Sequence, residues 1–182
     1  IPPFDHPDVV AGQGTIGVEI ATDMPSLRTV LIPLSGGGLA AGIAVTVKAL
    51  IPDARIIGVT MENGAAMQAS LQAGQPVEVI EQASFADSLG GGIGMANKVT
   101  FPICRALLDQ VILVSESEIA AAIRHLARLG HVVEGAAAVG HAAILSGKHH
   151  LDGPTVTILS GGNIDPALHA RILVGQNTPD TP

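Results

Sequence analysis

Tryptophan and tyrosine are absent from these 182 residues, phenylalanine occurs three times and cysteine once. A core built from this chain has to be aliphatic, with alanine and glycine letting helices and strands approach closely. There are almost no aromatic faces on which to stack bases, and nine Lys plus Arg within a net charge of −7 leave little to neutralise a phosphate backbone. The chain is therefore not expected to bind nucleic acid. The lone Cys104 excludes a disulfide framework and a Cys-x-x-Cys metal site, so a reduced, cytoplasmic setting is expected. Apolar residues reach 47% and mean hydropathy is +0.46, yet Lys48, Arg124 or a Gly/Pro cluster interrupts each apolar run short of membrane-spanning length. The surplus is expected at a buried interface, and Cys104 as a small buried hydrophobe.

What is present alternates. TVLIPL (29–34), a glycine turn, LAAGIAVTVKAL (39–50) and RIIGVTM (55–61) read as a strand, helix and strand of a βαβ crossover. QVILV (110–114) enters a helix through Ser115 and Glu118, a capping-box pair, with Ile119, Ala122, Ile123 and Leu126 as the buried stripe and Gly130 as the stop. A helix over GAAAVGHAAILSG precedes TVTILS (155–160), read as another buried strand, and Gly12-Gln13-Gly14-Thr15 is expected to lead into a helix around IGVEIATDM. The expected class is a three-layer α/β domain with a largely parallel sheet.

Ser35-Gly36-Gly37-Gly38 lies between a strand and a helix, where unpaired N–H groups and the positive end of the helix dipole converge. Glycines let that backbone wrap a phosphate, and three in a row cost enough chain entropy to ask for a reason. One candidate is a dinucleotide, since Gly36-x-Gly38-x-x-Ala41 with Glu62 after the next strand meets a loose Rossmann pattern. Two further Gly/Ser clusters, around Ser88 to Gly94 and Ser160 to Asn163, instead suit a compact phosphate-bearing aromatic cofactor.

Five segments in order, AGQGTIGVEI (11–20), PLSGGGLAAG (33–42), SFADSLGGGIG (84–94), VVEGAAAVG (132–140) and ILSGGNID (158–165), resemble the C-terminal part of the pyridoxal-phosphate (PLP) enzymes of the tryptophan-synthase-β type, fold type II, the group of serine/threonine dehydratases. The wording of GVTMENGAAMQASL and ADSLGGGIGMANKVTF is similar to dehydratases of ectoine and hydroxyectoine utilisation. The resemblance implies that Ser35, Gly36, Gly37, Gly38 and Leu39 hold the cofactor phosphate. It places Gly90 and Gly91 beside the ring and Ser160, followed by Gly161, at the pyridine nitrogen. Glu134 falls near the site without an assigned role. Glu62, with the carbonyl of Ala66, matches a divalent-cation position in some relatives, although Gln68 stands where a second acid belongs.

The implied reaction is β-elimination from a hydroxyamino acid, giving a 2-oxo acid and ammonia. The family's cofactor-bearing lysine lies in a Ser-x-Lys-x-Arg-Gly-like motif that these residues lack; Lys48, Lys98 and Lys148 stand outside any such pattern. The expectation is thus a partial PLP-binding domain over 1–175, a frayed tail over 176–182, a missing N-terminal portion that brings the lysine, and a chain inactive alone. A homodimer is implied by the resemblance. The alternatives are a nucleotide-binding oxidoreductase domain and a non-catalytic assembly domain with a degenerate pocket. His149-His150 with Asp152 reads as a solvated turn, and Met24, Met61, Met67 and Met95 as packing residues.

Overall fold

In the computed structural model, which describes residues 2–180, four strands form one sheet, β1 Thr29–Pro33, β2 Arg55–Met61, β3 Gln110–Val114 and β4 Thr155–Thr157. They are parallel and lie in the order β3-β2-β1-β4. Alternate residues feed two cores. Val30, Ile32, Leu34 and Ile56 face the side carrying α1 (Pro7–Asp23), α2 (Gly38–Leu50), α3 (Ala66–Ala73) and α4 (Thr100–Leu107). Leu31, Ile57, Val59, Met61, Ile112 and Val114 face α5 (Glu116–Arg128), α6 (Gly135–Leu145) and α7 (Pro166–Leu173). β1, apolar on both faces apart from Thr29, is wholly buried, as a central parallel strand has to be. This is the layered α/β class expected.

The capping box forms as its spacing predicts: Ser115 Oγ accepts from the Glu118 N–H at 3.4 Å and Glu118 Oε2 accepts from the Ser115 N–H at 2.7 Å. Ile119, Ala122, Ile123 and Leu126 are buried, and Gly130 ends the helix at φ +88°.

Other expectations are corrected. Gly12 and Gly14 do not precede the first helix but lie inside it; α1 starts at Pro7, with His6 Nδ1 accepting from the Asp8 N–H at 3.2 Å. Gly14 is there for close approach, because α1 and α2 touch through backbone: a Cβ on Gly42 would lie 2.5 Å from the Val10 carbonyl oxygen and 2.7 Å from the Gly14 nitrogen. β4 covers only Thr155–Thr157 and is half-exposed, since among the described residues nothing pairs with its outer edge. At the start of the tail, Arg124 donates to the carbonyls of Ile172 and Gln176 and to Asn177, and Arg171 pairs with Asp180 at 2.8 Å. Thr181 and Pro182 lie outside the described residues. His149 is buried, its N–H bonded to the Ala143 carbonyl, while His150 alone of the pair is exposed. Met95 is exposed, whereas Met61 and Met67 pack in the cores.

Across the α5–α6 contact, His141 Nε2 and His125 Nδ1 are 2.9 Å apart with the rings stacked. One nitrogen has to donate and the other accept, so the bond needs at least one neutral ring. Burial first, and the neighbouring His125 second, pull the His141 pKa below its ordinary 6.5. The folded state thus binds fewer protons than the unfolded one. Its stability should be fully present above pH 6.5 and decline as pH falls below that value, levelling off once His141 is protonated in the folded state too. Urea midpoints at a series of pH values should show this decline in the wild type and a shallower one in His141→Gln; equal slopes would remove His141 from the account.

Candidate cofactor-binding site

Where β1 ends, the Leu34 N–H still bonds to the Val59 carbonyl at 2.8 Å, and the chain then turns through Ser35 to Gly37 into α2. Gly37 caps the helix in the left-handed region at φ +91°, a conformation that costs any residue with a Cβ. The loop's carbonyls are engaged from behind. Thr100 Oγ1 donates to the Gly36 carbonyl at 2.7 Å, the Ala41 N–H to the Gly37 carbonyl at 2.8 Å, and the Cys104 thiol lies 3.9 Å from that same oxygen. Among the described residues, the N–H groups of Ser35 to Leu39 have no protein acceptor. Free N–H groups at the positive end of a 13-residue helix make an anion site. Burial pushes the Cys104 thiol up to about 12, so it stays protonated beneath the loop as a packing group.

α4 is itself held in place. Asp5 Oδ1 accepts from the N–H groups of Val99 and Thr100 at 2.8 and 2.9 Å, and Oδ2 from that of Lys98 at 2.9 Å. Burial opposes ionisation of Asp5, but these bonds outweigh it and hold the carboxyl below the usual range. The same anchor lays the Phe4 ring against Gly36, where a Cβ would overlap it. Buried Asn97 donates to the Ile93 carbonyl at 3.0 Å and to Thr100 Oγ1 at 2.8 Å, so one amide links the second glycine loop to the first.

The loop opens on a cavity of about 620 Å³. Ser35, Gly36, Gly37, Gly38 and Leu39 line one end, and Ser88, Glu134 and Ser160 also border it. Glu134 is the N-cap residue of α6; its Oε2 accepts from the Asn163 N–H at 3.1 Å and its Oε1 from the Ser88 hydroxyl at 3.4 Å. Gly161 lies against that carboxylate, with a Cβ there 2.7 Å from Oε1, and its carbonyl accepts the Glu134 N–H at 3.2 Å. Segments around Ser35, Ser88, Glu134 and Ser160, distant in sequence, therefore meet at one cavity. Gly90 lines a neighbouring cavity with Glu81 and Asp87, and neither Gly91 nor Gly161 lines the first. Glu62 and Ala66 lie elsewhere: Ala66 is buried at the start of α3, and Glu62 pairs with Lys148 at 3.2 Å.

A volume within the usual range for small-molecule sites, an anion cradle at one end and a serine hydroxyl at the border fit PLP, whose phosphate and ring nitrogen need those groups. The supporting residues Phe4, Asp5, Asn97 and Thr100 were not anticipated. Asp5 reaches Thr100 across 95 positions, and no local pattern reports such a contact.

Fold and site together define a class: an α/β domain whose strand–turn–helix offers free N–H groups that could seat an anionic ligand, at a cavity bordered by serine and glutamate. Residues 1–161 match the family model described as pyridoxal-phosphate dependent enzyme, and the chain belongs to that family. It is 62% identical over 177 residues to a Sinorhizobium fredii protein named "Putative threonine dehydratase", covering 96% of this chain and 53% of that one. It is 44% identical over 169 residues to the catabolic L-threonine dehydratase TdcB of Escherichia coli K12, covering 91% and 51%. Among solved structures, the processed form of threonine deaminase isoform 2 from Solanum lycopersicum superposes with a TM-score of 0.87 at 36% identity, over 97% of this chain and 52% of that one. The chain thus spans about half the length of these relatives. Family membership, with Glu62 bound to Lys148, leaves the dinucleotide reading without support. No helix among the described residues is long and apolar enough to cross a membrane.

Proposed function

We propose that this chain forms the cofactor-cradling part of a PLP-dependent ammonia-lyase that eliminates the β-hydroxyl of a hydroxyamino acid, yielding a 2-oxo acid and ammonia. The observation that carries the reading is the cavity where the free N–H groups of Ser35 to Leu39 meet Ser160 and Glu134, in a chain whose relatives bear threonine dehydratase names. When bound, PLP supplies the electron sink that makes loss of the substrate Cα proton feasible. In this reading the Ser35 to Leu39 backbone binds the phosphate. Ser160 offers a hydroxyl to the ring nitrogen; a hydroxyl hydrogen-bonds there without delivering a full proton, which keeps the sink weak and favours elimination. Gly90 and Gly91 are assigned to the ring face by the resemblance alone, since neither lines this cavity. Glu134, fixed through Ser88 and the Asn163 N–H, orients the Ser160 segment.

None of the three lysines lines the cavity: Lys48 pairs with Asp109, Lys148 with Glu62 and Glu118, and Lys98 is exposed. The covalent anchor for the cofactor is thus assigned to residues outside this chain. Threonine, serine and a hydroxylated diamino acid from ectoine breakdown are the candidate substrates, the last supported by the wording of 58–71 and 86–101. A cytoplasmic homodimer completes the reading, checked by light scattering of the purified protein.

Release of 2-oxo acid and ammonia from each candidate by the intact protein with PLP tests the function and ranks the substrates. Tight PLP binding without turnover of any of them would favour the assembly-domain alternative. Within the intact enzyme, Ser160→Ala should retain PLP, because the phosphate loop carries most of the binding. Turnover should fall by roughly tenfold or more, the scale of one lost hydrogen bond at the reacting group. Loss of PLP without a separate loss of turnover would contradict that division of labour.

A further inference from the structure

Lys148, in the turn after α6, uses all three donors of its ammonium on three different segments. Nζ lies 2.7 Å from Glu118 Oε2 in the first turn of α5, 2.9 Å from the Leu113 carbonyl of β3, and 3.2 Å from Glu62 Oε1 just past β2. The Glu118 carboxylate also closes the α5 capping box, and the Glu62 N–H bonds to the Val114 carbonyl at 3.0 Å, so both acids sit on fixed backbone. Without the lysine, two carboxylates and a peptide carbonyl would converge on one point, the oxygen-only set that binds a hard cation such as Ca²⁺. A divalent ion shared between Glu62 and the Ala66 carbonyl does not fit this chain. The Glu62 side chain is turned to Lys148, and Gln68 offers no charge.

We propose that the Lys148 ammonium is the resident cation of this site: a tethered charge that replaces a metal ion at Glu62, so that the wild-type chain takes up no divalent cation there and removal of the lysine opens a Ca²⁺ site made by Glu62, Glu118 and the Leu113 carbonyl. The site is partly open, with the Lys148 side chain 34% exposed, which leaves room for the waters Ca²⁺ needs to complete its shell. Burial opposes the charge on Lys148, but its bonds to Glu118 and Glu62 prevail and raise its pKa. Glu118 is lowered in turn despite burial, by Lys148 and by the Ser115 N–H. Both partners therefore keep their charge throughout the neutral range.

Calorimetric Ca²⁺ binding by the intact protein decides the matter. Lys148→Ala should bind one more equivalent of Ca²⁺ per chain than the wild type, and Lys148→Ala/Glu62→Gln should return to the wild-type stoichiometry. Lys148→Met, which keeps the aliphatic stem, serves if the alanine variant is not recovered folded. The thermal midpoint of the lysine variants should rise with Ca²⁺, while that of the wild type is the same in Ca²⁺ and in chelator. Equal stoichiometry in wild type and both lysine variants would overturn the proposal. So would a wild-type Ca²⁺ equivalent that disappears in Glu62→Gln.

Discussion

Gly135→Ala should destabilise the fold by about 3 kcal/mol or more, at or beyond the upper end for overpacking. Gly135 is the first residue of α6, and a Cβ there would overlap the Phe85 carbonyl and crowd the Ala86 nitrogen, all backbone. Neither partner can yield easily. The Phe85 N–H is bonded to Glu116 Oε2 at 2.8 Å, and the Ala86 N–H to Ser84 Oγ at 3.0 Å. Relief would require α6 to move off the segment that brings Ser88 to the cavity, so solubility and cofactor binding should fall together. Gly12→Ala is the matched control. Gly12 is exposed within α1 with nothing within 4 Å of a Cβ, and alanine there should stabilise by roughly 0.5–1 kcal/mol. Denaturant midpoints that move alike for the two variants would refute the steric argument.

The second large effect is expected at Gly37. Alanine in the left-handed region costs about 1–2 kcal/mol. Its Cβ would also come within 2.8 Å of Met67 Cε and 3.1 Å of Cys104 Sγ and Thr100 Cβ. The cheapest relaxation tilts the loop away from α4, breaking the Thr100 to Gly36 bond and rotating the N–H groups that face the cavity. At 1.4 kcal/mol per tenfold, PLP affinity of the intact protein should drop by roughly tenfold or more. Titrating apoprotein with PLP measures this, and an unchanged affinity with an intact fold would show that the loop is not the phosphate cradle.

The sequence made some of this architecture visible and concealed the rest, for physical reasons that differ by residue. β2, β3 and the α5 capping box were legible because short β-branched runs and caps are local signals. The turn from β1 into α2 was legible because three glycines between an apolar run and a helical pattern mark a tight strand–helix connection. The start of α1 was misplaced because Gly12 and Gly14 resemble a loop by composition, while Gly14 is used for contact with Thr46 of α2. α7 carried a readable signal that went unused: Asp165 caps it through the Leu168 N–H at 2.8 Å, with Pro166 in its first turn. The clamp of Asp5, Asn97 and Thr100 had no such signal, since its partners are brought together only by the finished fold. For the same reason nothing local marked Lys148, which bonds to groups 30 to 86 positions away.

The cavity draws its lining from Pro3 at one end of the chain to Ser160 near the other. Any ligand that needs both borders binds only when most of the polypeptide is assembled, so occupancy and folding are linked by mass action. At a hundredfold excess over its dissociation constant such a ligand adds about 2.7 kcal/mol to the folded state. The cofactor's concentration in the surrounding medium would therefore set how long the protein survives proteolysis, quite apart from how fast it turns over.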